Sequence, residues 1–296
     1  MSMSVISDAR LAYHNELKER ALVINEGDGK ASIADKDSSL SVALANEVTK
    51  LLDAPLGKKL KAQSVGIVFE ARTCAFLQRT FLKLIHLRPG NWLIETVAAT
   101  SKLQIAKYEQ YRHLLVLDDL VRSQRELKSI IGLDYTIAPD IIIARQPLSD
   151  QEINDGGNFV DPSAKSLSSV RLANGALASL HASISCKWTL RSDRAQNARS
   201  EALNLLRNRK GRTPHIIVVT AEPLPSRLAS LALGTGDFDC IYHFALTELR
   251  EAVEICKGNS APRERVKFDK ASDDLEAMIA GKRLKDISDL PLDLIA

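Results

Sequence analysis

Apolar residues recur at two spacings along this chain, and the change between them falls near Pro139. Before it the spacing is helical. Residues 38–52 open with serines able to cap a helix and continue with apolar positions three and four apart. Residues 64–86 predict a longer, mostly buried helix that ends at Arg88-Pro89-Gly90. Residues 101–130 predict a third, with Leu103, Ala106, Leu114, Leu117, Val121 and Leu127 near one face.

After Pro139 the period shortens to two. Residues 140–145 form a β-branched run typical of a buried strand. A polar loop with Gly156-Gly157 and Pro162 follows, and residues 168–173 and 178–188 predict two further strands joined by a turn at Asn174-Gly175. In the second, Leu180, Ala182, Ile184 and Cys186 alternate with His181, Ser183, Ser185 and Lys187, which gives one apolar and one polar face. Residues 194–208 return to helical spacing. Residues 215–219 and 237–244 then predict two strands, each followed by a helix. The order implies an α/β fold, a central mixed sheet flanked by helices with a helical N-terminal layer. We read it as a single domain with a helical layer at about 1–135, an α/β core at about 136–260 and a C-terminal arm at about 261–296. The arm is a candidate for use in oligomerisation.

Composition adds little beyond this. The 296 residues are 45% hydrophobic and 26% charged, enough for a proper core. Forty basic against thirty-seven acidic residues leave a net charge of +3, which by itself announces no nucleic-acid binder, though it would hide a local basic face. Cys74, Cys186, Cys240 and Cys256 are widely spaced with no CxxC pair, so neither a zinc site nor a disulfide framework is expected. The six histidines show no HExxH arrangement. Gly27-Asp28-Gly29-Lys30 fails the spacing of a phosphate-binding loop, and Asp118-Asp119, adjacent on a helix, diverge too far to share a metal. No window suits a signal peptide or a membrane span, so a soluble, cytoplasmic chain is expected.

The chemistry concentrates elsewhere. Pro139-Asp140 opens one strand, and Ser185 and Lys187 point the same way from another, with Cys186 turned into the core. An acid and a lysine can thus meet at one sheet edge. Carboxylate oxygens suit Mg²⁺, and a lysine beside them can orient and polarise an attacking water, as phosphodiester hydrolysis requires. The plain alternative is a proline-started strand and a chance lysine. Glu70 sits in the apolar stretch 64–86, where a carboxylate is expensive unless paired, with Arg72 as the ordinary partner. Glu201 lies in the next helix after Lys187, where a pair with a neighbouring arginine is the ordinary reading. Arg191-Ser192-Asp193-Arg194 opens that helix. Arginine grips guanine O6 and N7, and aspartate accepts from cytosine N4, so this cluster could read G·C pairs; otherwise it is a solvated, self-neutralising patch.

Together, Pro139-Asp140, Ser185-Cys186-Lys187, Arg191-Ser192-Asp193-Arg194 and Glu201 resemble the signature of PD-(D/E)xK restriction endonucleases that cut CCGG-centred sites. The superfamily has an acid two residues before the lysine; Ser185 stands there instead, a departure this subgroup shares, with Glu201 supplying the carboxylate. The resemblance implies a restriction-endonuclease-like core in which Asp140 and the main-chain oxygen of Cys186 bind Mg²⁺, two ions per site. It implies that Lys187 handles the water and that Glu70 and Glu201 support the metals through waters. It further implies a GCCGGC target cleaved after the first G, with Arg191, Asp193 and Arg194 reading CCGG, and Arg227 and Gln63 as readers of the outer pair. Such enzymes are homotetramers, dimers of dimers on two duplex DNA sites, and work beside a methyltransferase without touching it. Two rivals stand at this point: a structure-selective repair or junction nuclease with the same metal site, and a non-catalytic DNA-binding module.

Overall fold

A computed structural model describes residues 3–97, 103–131, 137–175, 177–234 and 236–296. The N-terminal layer begins with α1 (Val5–Lys18), capped by the Ser4 hydroxyl, which accepts from the Ser7 N–H. A two-residue strand β1 (Ile24–Asn25) leads to α2 (Ser39–Leu51), where Ser38 caps by accepting from the Ser41 N–H. Strand β2 (Leu56–Gly57) pairs with β1, and α3 (Ala62–Thr80) follows. This helix stops sooner than its apolar run suggests: the chain tightens into a 3-10 turn at Phe81–Lys83.

The main sheet has six strands in sequence order. They are β3 (Trp92–Thr96), β4 (Ile141–Arg145), β5 (Ser179–Lys187), β6 (His215–Thr220), β7 (Cys240–His243) and β8 (Leu284–Asp286). The first three pair antiparallel and β5 through β8 run parallel, so the sheet is mixed as expected. Between β3 and β4 come α4 (His113–Ser123) and α5 (Arg125–Ile131). After β4 comes the short α6 (Asp150–Ile153), and after β5 comes α7 (Ser192–Asn208). Helix α8 (Pro225–Ala232) follows β6, α9 (Leu246–Gly258) and α10 (Pro262–Ala280) follow β7, and α11 (Leu290–Asp293) follows β8. Ile141–Ala144 and Leu180–Cys186 are buried almost throughout, because helices cover both faces. Among the described residues no helix is long and apolar enough to cross a membrane.

Three local expectations are corrected. Residues 101–130 are not one helix: 3-10 turns at Gln104–Lys107 and Glu109–Tyr111 precede α4 and α5. Tyr108 and Tyr111 are buried in the core, and Gln110 donates to the Leu180 carbonyl and accepts its N–H. Tertiary bonding to β5 overrides the helical period there. Residues 168–173 do not form a strand. They lie in the loop between β4 and β5, with a single bridge, Leu148 to Arg171, and Arg171 held by Asp150. The segment read as a C-terminal arm instead supplies edge strand β8, with Leu290 and Leu294 fully buried.

That C-terminal strand is anchored by Arg10 of α1. Its guanidinium donates to Glu248 at 2.6 and 2.8 Å and to Asp286 at 2.8 Å, a two-sided fork. Burial pushes both carboxyls up, but the Arg10 charge outweighs it and holds each below its ordinary value. Stability from depressed carboxyls is present above their unfolded values and is lost as pH falls through the folded ones. Arg10→Ala is therefore expected to cost about 3 kcal/mol near pH 7 and less below about pH 4. Urea unfolding followed by circular dichroism at both pH values measures this. An equal loss at both would assign the effect to the apolar stem of Arg10.

Candidate active site

Because β4 is antiparallel to β5, the start of one lies beside the end of the other. Ile141 faces Ile184, which sets Asp140, one residue earlier, against Ser185 and Cys186. Asp140 Oδ2 accepts the Cys186 N–H at 2.7 Å and the Lys187 ammonium at 3.0 Å, with Ser185 Oγ at 3.5 Å. The Ser185 hydroxyl also lies 3.4 Å from Glu201 Oε2 on α7. One hydroxyl has one proton, so it donates to one carboxylate at a time and bridges the two acids. Cys186 and Trp188 are buried, as the alternation predicts, and Trp188 packs edge-on against Phe69 at 5.2 Å.

Glu70 joins from α3, which packs on β5. Its ordinary partner is otherwise engaged: Arg72 pairs with Glu16 at 3.2 Å and Glu19 at 3.8 Å. Burial, and then the Asp140 charge, push the Glu70 carboxyl up to about 7. Glu201 is likewise raised by burial, against the pull of Lys187. It makes no arginine pair among the described residues. Burial opposes the Lys187 ammonium, but Asp140 and Glu201 outweigh it and Lys187 is held in its charged form. The balance is three carboxylates around one lysine.

This donor set fits a hard divalent cation. Burial, with the Asp140 charge beside it, raises both Glu70 and Glu201 above their ordinary values, and the donors are oxygens. Among the described residues no three His, Cys, Asp or Glu side chains form a ready cage. An ion that keeps much of its water shell, as Mg²⁺ does, needs only one or two carboxylates.

The turn after Lys187 leads into α7, whose N-cap is Arg191. Arg191, Arg194 and Arg227 converge on a cavity of about 150 Å³, shared with Lys59, Asp35 and Thr189. In this structure these arginines bond to their own chain. Arg227 pairs with Asp35 and stands 3.7 Å from Glu222. Arg191 is 4.0 Å from Asp35, and Arg194 donates to Thr189 Oγ1 at 2.9 Å. The Arg227 hydrogen bond holds the Asp35 carboxyl below its ordinary value. Asp193 and Gln63 are exposed on the first turns of α7 and α3 and do not line the cavity, although Ala62 does.

Sequence reasoning missed Asp35 and Glu222. Asp35 lies in a short polar stretch with no periodicity, and only the fold brings it to Arg227, 192 positions away. Glu222 did leave a signal, an acid between the apolar run 215–221 and a proline, where a carboxylate is costly.

Comparison with known proteins gives the family. A family model described as NgoMIV restriction enzyme matches residues 13–296. The chain is 46% identical over 291 residues to the type II restriction enzyme NgoMIV of Neisseria gonorrhoeae, covering 98% of each chain. A solved complex of the restriction endonuclease PspGI with substrate DNA aligns with 98% of this chain and 90% of that one. Its identity of 14% and TM-score of 0.26 are too low to support any further likeness. A family model over residues 13–296 and 46% identity across 98% of both chains have one outcome: the chain belongs to the NgoMIV family of type II restriction enzymes, site-specific deoxyribonucleases.

Proposed function

We propose that this enzyme makes Mg²⁺-dependent double-strand breaks at GCCGGC, cutting after the first G. The observation that carries the reading is the Asp140–Lys187 contact of 3.0 Å at the sheet edge from which α7 departs with Arg191, Asp193 and Arg194. Restriction endonucleases generally use divalent metal ions. Asp140 and the Cys186 main-chain oxygen would hold Mg²⁺, two ions per site, with Glu70 and Glu201 acting through waters. The ion would supply charge relief at the scissile phosphate and a more acidic water. Lys187, kept as an ammonium, donates to the attacking water and orients it. Ser185 holds one carboxylate by a hydrogen bond while the other faces the metal. Arg191 and Arg194 supply bidentate donors for guanine and Asp193 an acceptor for cytosine N4, while Arg227 and Gln63 serve the outer pair. Assembly as a homotetramer, a dimer of dimers on two duplexes, is supported by apolar side chains left exposed in the loop between β4 and β5, among them Leu167 at 94% and Phe159 at 67%. A cognate methyltransferase would act on the same sequence without direct contact.

A digest of mixed-sequence plasmid is expected to give discrete fragments with Mg²⁺ and none with EDTA. Asp140→Ala and Lys187→Ala are expected to abolish cleavage, a loss of several kcal/mol of transition-state stabilisation. Folding should survive Asp140→Ala, since it removes one of three crowded carboxylates and leaves Glu201 to Lys187. Glu201→Ala should be nearly inactive and Ser185→Ala far milder; the reverse order of single-turnover rates would mean the second acid is misplaced.

Readout separates this enzyme from a nuclease that reads DNA shape. Each bidentate arginine–guanine contact contributes about 1–3 kcal/mol of discrimination. A contact that touches only phosphate would weaken all sequences alike. Arg194→Ala is therefore expected to lose most of its preference for a CCGG-containing duplex over a scrambled one in Ca²⁺, with little change in non-specific affinity. If Arg194→Ala and Asp193→Ala both kept the wild-type ratio in gel shifts, shape reading would be the better account.

A further inference from the structure

Glu222 lies two residues beyond Thr220, the β6 partner of Lys187 in the ladder. Its side chain is fully buried. Oε2 accepts the Leu190 N–H at 2.6 Å and Oε1 accepts the Leu224 N–H at 3.1 Å. Arg227 Nη1 stands 3.7 Å from Oε2. Leu190 immediately precedes Arg191, and Leu224 is the N-cap of α8, three residues before Arg227. One carboxylate thus joins the exit of the lysine strand to the entrance of a second helix, and each joined turn delivers an arginine to the same cavity.

We propose that Glu222 is a positioning residue for sequence recognition, fixing Arg191 and Arg194 relative to Arg227 so that the two groups meet one stretch of DNA in register. This rests on the reading of those arginines as base readers. The chemistry argues for more than turn stabilisation. Two main-chain donors approach opposite oxygens, so both must be acceptors, and a carboxylate supplies this where an amide cannot. Glutamine would turn an NH₂ toward one of the two N–H groups, donor against donor. The carboxylate also stands near Arg227 Nη1 while Asp35 takes Nη2, so two acids limit where that guanidinium can point. Bidentate recognition of a base edge requires such directional control.

The test compares Glu222→Gln and Glu222→Asp with Arg194→Ala, Arg227→Ala and wild type. Binding to GCCGGC, outer-pair-altered and scrambled duplexes is measured in Ca²⁺, kcat and KM in Mg²⁺, and melting temperature without DNA. Glu222→Gln is expected to lower the preference for GCCGGC over both other duplexes by about tenfold or more, with non-specific affinity close to wild type and a melting temperature only modestly lowered by the buried donor–donor contact. KM should rise while kcat at saturating DNA changes less, because Asp140 and Lys187 are held by their own bonds. Glu222→Asp keeps the charge but is one methylene short of spanning both N–H groups, and the same split is expected. A uniform fall in kcat and all affinities that tracks melting temperature would overturn the proposal in favour of a purely structural role, as would failure of both variants to fold. If Arg194→Ala and Arg227→Ala lose the preference while Glu222→Gln keeps it, the positioning role alone is wrong. If the arginine variants keep it, the base-reading assignment itself fails and this proposal falls with it.

Discussion

Asp140 Oδ2 sits 2.7 Å from the Cys186 amide and 3.0 Å from the Lys187 ammonium, and the placement of the rest of the site follows from that contact. It exists because β4 runs antiparallel to β5 in one particular register. A slip of one residue would send Ser185 and Lys187 to the opposite face and bring Cys186 to the acid. Chemistry itself does little to prevent such a slip. The buried side chains of Ile141–Ala144 and Leu180–Ile184, packed on both faces, fix the register, so the apolar core specifies the polar site.

Much of this was legible in the sequence, for a physical reason. Strand alternation is strict, so the face presented by Ser185 and Lys187 could be read directly from the run 178–188. Glu70 stood out as an acid in an apolar stretch, and the fold removes its ordinary partner, whereas Glu201 stood beside basic residues, where an ordinary helix pair was the plain reading. Illegible features depend on distant contacts. Residues 104–111 carry a helical period, yet Gln110 spends its side chain on Leu180 and the chain breaks into short turns. Edge strands β3 and β8 are five and three residues long, too short for a period to register. Arg227 could be named only through family resemblance, because its partner Asp35 comes from a segment 192 positions away and its near neighbour Glu222 forms no pattern that marks a base reader. A local pattern cannot encode a cavity lined from four separate segments of the chain.

Helical geometry accounts for a second regularity. Glu201 follows Arg194 by seven residues on α7, and Glu70 follows Gln63 by seven on α3. Seven residues make nearly two turns, so each pair shares a helix face with its members roughly 10 Å apart along the axis. Each helix thus carries one proposed base reader at its first turn and one acid of the catalytic cluster two turns deeper. A shift of either helix along its axis would move reader and acid together. On the proposed roles, recognition and metal support would therefore be coupled through rigid elements.

Charge is distributed to match. Around Lys187 the carboxylates are in excess, and two of them, Glu70 and Glu201, are raised by burial and by the Asp140 charge. Around the cavity the arginines dominate, and Asp35 and Glu222 offset them from within the chain. Each half is incompletely neutralised by the protein alone, and the halves are opposite in sign. Duplex DNA carries acceptors on guanine edges for the arginine half, while a divalent cation between its phosphates and the carboxylates would complement the other half. Neither partner resolves both excesses alone: a cation without DNA leaves the arginines on their own acids, and DNA without a cation brings phosphate toward unshielded carboxylates. On the proposed roles, the complete arrangement would need sequence and metal together, since only then are both excesses of charge offset.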